Sequence, residues 1–344
     1  MTKVERDLLA LDVGGANVKA ADSRGAVWSV PFELWKAPER LPDVLRAGFA
    51  GRDDPDHVAL TMTGELCDCF ETKAEGVRSI VKSARISFPK SSLRIWGRDE
   101  RFYTTAELAD APEVAAAANW SALANVAAAR FAVDRPALLI DIGSTTTDIV
   151  PLRSGRAIPN GRTDFERLRT RELVYIGARR TPLCALATET TLRGDSVGVM
   201  AEWFATTLDV YLMLGMIAED PRDRATADGR PATVSFARDR LARTIGADRS
   251  TIDLTDAIEL ARAADSVALD RLTTAARRVV ESIGETPKAF VVSGSGAFLA
   301  ERLVARIATE DAEVVSLAER WGEPASSAAC AYALAILARE DGRF

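Results

Sequence analysis

Two aspartates, each following an apolar run and each with a glycine two residues on, have the residue types and spacing for phosphate chemistry. One is Asp12 in Leu11-Asp12-Val13-Gly14-Gly15-Ala16-Asn17-Val18-Lys19; the other is Asp141 in Ile140-Asp141-Ile142-Gly143-Ser144-Thr145-Thr146-Thr147-Asp148. Setting Asp12 over Asp141 puts Gly14 over Gly143 and Lys19 over Asp148, so one strand-turn-strand device occurs twice. Glycine lets the backbone come close to a ligand, and the turn amides can then point at phosphate oxygens. Gly14, Gly15 and Asn17 form the first cradle, with Lys19 as a point charge. Gly143, Ser144, Thr145 and Thr146 form the second, where Asp148 is a candidate to hold a metal-bound water. Asp12 and Asp141 are the expected ligands of Mg²⁺, facing each other across it; the competing reading has each merely capping its turn. A third turn, Ser293-Gly294-Ser295-Gly296-Ala297, follows the apolar stretch 289–292.

Composition narrows the chemistry further. The chain has a single histidine, His57, beside Asp53-Asp54-Pro55-Asp56 in what reads as a solvated turn. Histidine triads and multi-histidine metal sites are thereby excluded, so acid-base work falls to Asp, Glu, Lys, Tyr or water and any metal is a hard, oxygen-bound ion. A net charge of -6 provides no general basic field, so nucleic acid is not an expected partner. The four cysteines are scattered without zinc spacing and read as reduced thiols. No apolar stretch is long enough for export or spanning after the charged residues 1–7, so no membrane partner and a cytoplasmic location are expected.

The elements that must position these turns follow from periodicity. Residues 8–11, 18–22 and 26–32 read as strands, 38–49 as a short helix, 58–62 as a strand and 70–84 as a helix with Lys73 on a solvent position. Residues 93–96 and 101–104 read as a strand pair, and 111–133 as one Ala-rich helix. The 344 residues fit two domains, 1–134 and 135–344. In the second, 137–152 repeats the strand-turn-strand start, 156–159 and 173–176 extend its sheet, and 196–217 reads as one long helix. Helices are expected over 235–245, 253–264, 265–282 and 298–307. A last one, 326–339, either closes the core of the N-terminal lobe or forms a homodimer seam.

In their order, the three turns resemble the phosphate-1, phosphate-2 and adenosine motifs of the actin, sugar kinase and heat-shock ATPase superfamily. The resemblance implies an α/β, two-lobed actin-like ATPase fold, a duplicated ribonuclease H-like fold with a central interdomain cleft. Finer likeness comes from Thr61-Met62-Thr63-Gly64-Glu65-Leu66, from Asn119-Trp120, from Thr163-Asp164-Phe165-Glu166-Arg167-Leu168, and from the run 172–182 that contains Arg179-Arg180. Over essentially its whole length the chain is similar to the hydantoinase A/oxoprolinase branch, and within it to the group linked to tetrahydromethanopterin-dependent C1 metabolism. That likeness implies a transferase that joins a furanylmethyl diphosphate to a phenolic substrate, γ-glutamyltyramine- or tyrosine-like. Pyrophosphate would be released in methanofuran-type cofactor synthesis, with Mg²⁺ and without ATP turnover.

Such a catalyst must stabilise the departing pyrophosphate and orient the phenol oxygen. The twin turns suit the first task, and Arg179 and Arg180 are candidate diphosphate contacts; on a strand they would face opposite ways, leaving one in the site. Glu65 is a candidate base for the phenol or an anchor for the furan amine, and Asp148 and Asp164 compete for the same roles. Thr63 and Asn119 are candidate substrate contacts, and Trp120 a candidate surface on which an aromatic substrate stacks. Two other functions stay open. One is an ATP-dependent small-molecule kinase or amide-ring hydrolase, best supported by Gly294, Ser295 and Gly296; the other is a nucleotide-switched binding protein.

Overall fold

The computed structural model describes residues 7–49, 54–342 and 344; the charged residues 1–6, and Asp53 of the turn before His57, lie outside the described residues. The first apolar run forms β1 (Leu8–Val13), which continues through the first glycine turn into β2 (Asn17–Asp22) and β3 (Val27–Pro31). After α1 (Leu41–Ala47) come β4 (His57–Met62), α2 (Lys73–Ser87), β5 (Ser92–Trp96), β6 (Phe102–Tyr103), α3 (Thr105–Leu108) and α4 (Asn119–Phe131). The strands lie in the order β3-β2-β1-β4-β5-β6. β1 runs antiparallel to β2 and parallel to β4.

Residues 8–11 of β1 are all apolar because both faces of the strand are covered. Leu9, Leu11 and Val13 pack with Leu41 and Leu45 of α1 and Val77, Ile80 and Ala84 of α2. Leu8 and Ala10, on the alternate face, pack against Ala122 of α4 and against Leu334 and Ala338 near the C-terminus.

The second glycine turn joins β7 (Ala137–Ile142) to β8 (Thr147–Arg153), followed by β9 (Arg156–Ala157), α5 (Asp164–Thr170) and β10 (Leu173–Val174). The chain continues through α6 (Leu183–Leu186), the hairpin β11 (Glu189–Leu192) and β12 (Asp195–Gly198), α7 (Thr207–Met213), α8 (Val234–Arg243) and α9 (Leu254–Ile283). Next come β13 (Ala289–Ser293), α10 (Ala297–Ile307), β14 (Glu313–Ser316), α11 (Leu317–Trp321), α12 (Glu323–Ser327) and α13 (Ala329–Glu340). This second sheet has the order β10-β8-β7-β13-β14, with β9 also on β8. In each sheet the first strand lies between the strand that follows its glycine turn and a strand from later in the chain, β4 in one and β13 in the other, so the duplication seen in the turns extends to topology.

Contacts divide the chain into two units. One comprises Met1–Leu139, Val150–Arg169 and Val315–Phe344, the other Ile140–Ile149 and Thr170–Val314. A single break after residue 134 is therefore corrected. β9 packs on α4, and Gly155 N donates to Ala132 O at 2.9 Å, which ties this stretch to the first unit. α13 packs on α4, β1 and β2 and so closes that unit's core.

Three helix boundaries also differ from expectation. The Ala-rich helix starts only at Asn119, because Pro112–Ala115 is a 3-10 turn and Ala117 has φ 49°. The 196–217 segment begins as β12, and its helix is limited to α7, whose start is set where Thr206 N donates to Asp209 Oδ2 at 2.9 Å. Residues 253–264 and 265–282 form the single helix α9, since Asp265 is taken up inside it by a two-pronged ion pair with Arg302, at 2.8 and 2.7 Å.

Candidate functional site

In the first unit Gly14 N donates to Asn17 O at 3.0 Å, closing the turn between β1 and β2. Asp12 stands opposite Lys19 on β2 and Thr61 on β4. Directly opposed residues share a sheet face, so the three side chains form a row on the face that α4 covers. Asp12 is 5% exposed, and Asn119 at the start of α4 donates from Nδ2 to its Oδ2 at 3.3 Å. Thr61 is fully buried and its hydroxyl has no hydrogen-bond partner among the described residues. The sequence offers no site signal at this position beyond the run it begins, because a strand threonine is indistinguishable there from core filler.

Beyond β4 the chain makes a 3-10 turn, Gly64–Leu66, that abuts the first glycine turn: a Cβ on Gly64 would lie 3.1 Å from Gly14 O. This turn carries Glu65, which is 1% exposed. Neither of its carboxyl oxygens has a hydrogen-bond partner within ordinary geometry among the described residues. Burial lifts its pKa from an ordinary 4.5 to about 7; the backbone amides of Glu65 and Ala117 and the charge of Lys73 pull the other way, and Asp164 adds to the rise. Lys73, expected on a solvent position, instead places Nζ 3.2 Å from Asp164 Oδ2. Thr63, between β4 and this turn, is exposed.

Trp120 does not fit its expected role. It is 3% exposed and the Arg167 guanidinium carbon sits 4.0 Å from its ring centroid, so the ring is a packed cation–π partner and offers no free face for stacking.

The second unit repeats the turn: Gly143 N donates to Thr146 O at 2.9 Å. Ser144, Thr145 and Thr146 are half-buried around it. Ser144 O accepts from both Arg179 N and Arg180 N, at 3.0 and 2.9 Å. Arg179 lies on a bend and Arg180 just after it, so the two are not on the strand that was expected. Arg179 is ion-paired with Asp223, and Arg180 is exposed. Asp148 stands on β8 opposite Leu173 of β10. Asp141 Oδ1 accepts from Ser293 Oγ at 2.6 Å, a contact across 152 residues that no local pattern encodes. Gly294 has φ 90°, and a Cβ there would lie 2.2 Å from Ile142 O, so the third turn rests directly on the second. Ser295 is exposed at its tip, and Gly296 N donates to Ile142 O at 2.8 Å.

Among the described residues no three His, Cys, Asp or Glu side chains converge on a metal position. Asp12 and Asp141 are nevertheless of the right type for Mg²⁺, which is commonly held through one or two carboxylates together with substrate phosphates. The four cysteines are free thiols. No described helix is long and apolar enough to cross a membrane.

Two sheets, each with its first strand beside the strand that a glycine turn joins to it, make up the duplicated α/β fold of the actin-like ATPases. The chain belongs to the hydantoinase/oxoprolinase family, whose pattern matches residues 56–341. It is 31% identical over 335 residues, 96% of this chain and 97% of the relative, to a (4-{4-[2-(γ-L-glutamylamino)ethyl]phenoxymethyl}furan-2-yl)methanamine synthase of Methanocaldococcus jannaschii. To the synthase of the same name from Methanococcus vannielii it is 31% identical over 210 residues, 61% of this chain and 93% of that one. Among solved structures, nucleotide-free acetone carboxylase aligns over 96% of this chain and 70% of its own at 11% identity, with a TM-score of 0.51; this is a likeness of fold.

Proposed function

We propose that the protein is a transferase that forms a furanylmethyl aryl ether in the synthesis of a methanofuran-type cofactor. The observation that carries this reading is the 31% identity, over 96% of the chain, to a synthase whose named product holds a phenoxymethyl link to a furan. In the proposed reaction the phenol oxygen of a γ-glutamyltyramine- or tyrosine-like substrate attacks the methylene carbon of a furanylmethyl diphosphate. The bond from that carbon to the diphosphate oxygen breaks, pyrophosphate leaves with its electron pair, and the phenol proton passes to Glu65. A carboxylate with a pKa of about 7 is a stronger base than an ordinary one and still releases its proton near neutral pH.

The first glycine turn supplies amides, and Lys19 a charge, for the pyrophosphate that develops as the bond breaks. Asp12 and Asp141, each near the end of the first strand of its own sheet, are of the residue type that holds Mg²⁺, which would neutralise diphosphate charge when bound. A cytoplasmic location for the reaction is part of the same proposal.

The test is to incubate the purified protein with Mg²⁺, the aminomethyl-furanmethanol diphosphate and a panel of tyramine- and tyrosine-type phenols without ATP. Mass of the ether and stoichiometric pyrophosphate are followed. Ether with equal pyrophosphate supports the reading and identifies the phenol; no ether with any phenol overturns it.

A second reading, an ATP-dependent kinase or amide-ring hydrolase, is favoured by the close seating of Gly294 on Ile142 in a strand-turn-helix unit suited to a nucleotide. Phosphate release from ATP that rises with an added substrate would move the assignment there.

A further inference from the structure

Lys73 is the first residue of α2 and Asp164 the first of α5, so a contact between the starts of two helices 91 residues apart brings their charges together. Their side chains are 31% and 18% exposed. The helix start is fixed locally, because the Thr72 hydroxyl accepts from Glu75 N at 3.1 Å. Gly76, three residues on, lies on the same helix face as Lys73. A Cβ at Gly76 would sit 2.3 Å from Glu65 O, so α2 rests on the backbone of the Glu65 turn. The pair therefore stands beside a carboxyl that is 1% exposed and that no described side chain hydrogen-bonds. Lys73 from α2 and Asp164 from α5 are the charged side chains whose fields act on Glu65, and the amides of Glu65 and Ala117 are the backbone groups that do.

We propose that the Lys73–Asp164 pair is a positioning device that holds Glu65 poised to accept a proton from an incoming hydroxyl and then release it to water. This rests on the reading of Glu65 as the base. Lys73 favours the carboxylate and Asp164 opposes it, so the pair acts as a balance and neither partner is a catalytic residue. An ordinary surface ion pair would leave the proton affinity of Glu65 unchanged when broken from either side. This one must move it in opposite directions.

The experiment compares Lys73→Met, Asp164→Asn and Lys73→Arg with the parent protein. Glu65 is titrated in the intact protein by carboxyl-labelled glutamate NMR, its resonance assigned by its loss in Glu65→Gln, and the pH profile of ether formation is measured alongside. Lys73→Met is expected to raise the Glu65 titration midpoint, and Asp164→Asn to lower it, each by about half a pH unit or more. Lys73→Arg is expected to restore the parent value, which separates charge from folding. The acid limb of the rate profile should follow the same shifts. Midpoints that stay put, or that move the same way in both variants, overturn the proposal. Midpoints that move in opposite directions while the rate limb does not follow overturn the catalytic use of Glu65. Opposed midpoints in a parent protein that makes no ether support the coupling and overturn the transferase reading alone.

Discussion

Asn119 donates to Asp12 across 107 residues, from the first turn of α4 to the end of β1. The contact exists because Ala117, at φ 49°, and the 3-10 turn before it delay the helix, so that Asn119 falls at the helix start facing the strand ends. A long helix from residue 111 would have buried this position in a helix interior. The interruption thus converts an Ala-rich packing element into a holder for the first aspartate.

Replacing Asn119 by Ala removes a hydrogen bond to a carboxylate, worth about 1.5–3 kcal/mol. If Asp12 handles diphosphate and Mg²⁺, kcat for ether formation falls about tenfold or more. Steady-state kinetics with a parallel thermal melt check this. A large drop in melting temperature with unchanged kcat would assign Asn119 to folding alone.

Glu65→Gln should cost activity and add stability at neutral pH. The folded-state pKa of about 7 lies above the ordinary 4.5, so the native protein favours the protonated form. Below pH ~4.5 both states hold the proton and nothing is lost; as pH rises through 7 the native state bears a penalty of about 3 kcal/mol that glutamine does not. Urea denaturation at pH 4 and pH 8 measures it. The variant is expected to match the parent at pH 4 and to exceed it at pH 8, while ether formation falls by about 10²-fold or more.

Gly294→Ala has no room to be accommodated. It combines a left-handed φ of 90° with a Cβ that would lie 2.2 Å from Ile142 O and 2.7 Å from Asp141 Oδ1. A loss of about 2 kcal/mol or more is expected in denaturant titration. An unchanged midpoint would show that the third turn does not seat on Ile142.

Arg240 is fully buried and meets Asp209, 1% exposed, at 2.7 Å, with Asp228 at 3.1 Å. Arg240→Met strands the Asp209 carboxylate and should destabilise by about 3–5 kcal/mol, whereas Arg240→Met combined with Asp209→Leu should recover much of that loss. Chemical denaturation of both variants tests the pair, and a double variant as unstable as the single one would contradict it.

The paired glycine turns were legible because the chemistry lies in adjacent residues: Gly14 to Asn17 and Gly143 to Thr146 close within four residues. The strands β1 and β4 were legible as well, since burial on both faces calls for mostly apolar runs such as 8–11 and 58–60. Helix extents read less well. Asp265 resembles a helix break until Arg302 is seen to neutralise it, and Trp120 resembles a stacking platform until Arg167 is seen on its ring.

By itself, then, the amino-acid sequence determined where the backbone can turn, which runs must be buried and that the device occurs twice, because these are properties of neighbouring residues. Only the tertiary structure decided which groups face one another. Asn119 reaches Asp12, Ser293 reaches Asp141, and Lys73 with Asp164 stands by Glu65. Those pairings depend on packing between segments distant in the chain. The proton affinity of Glu65 depends on such packing too, because removal from water, and not residue type, raises it.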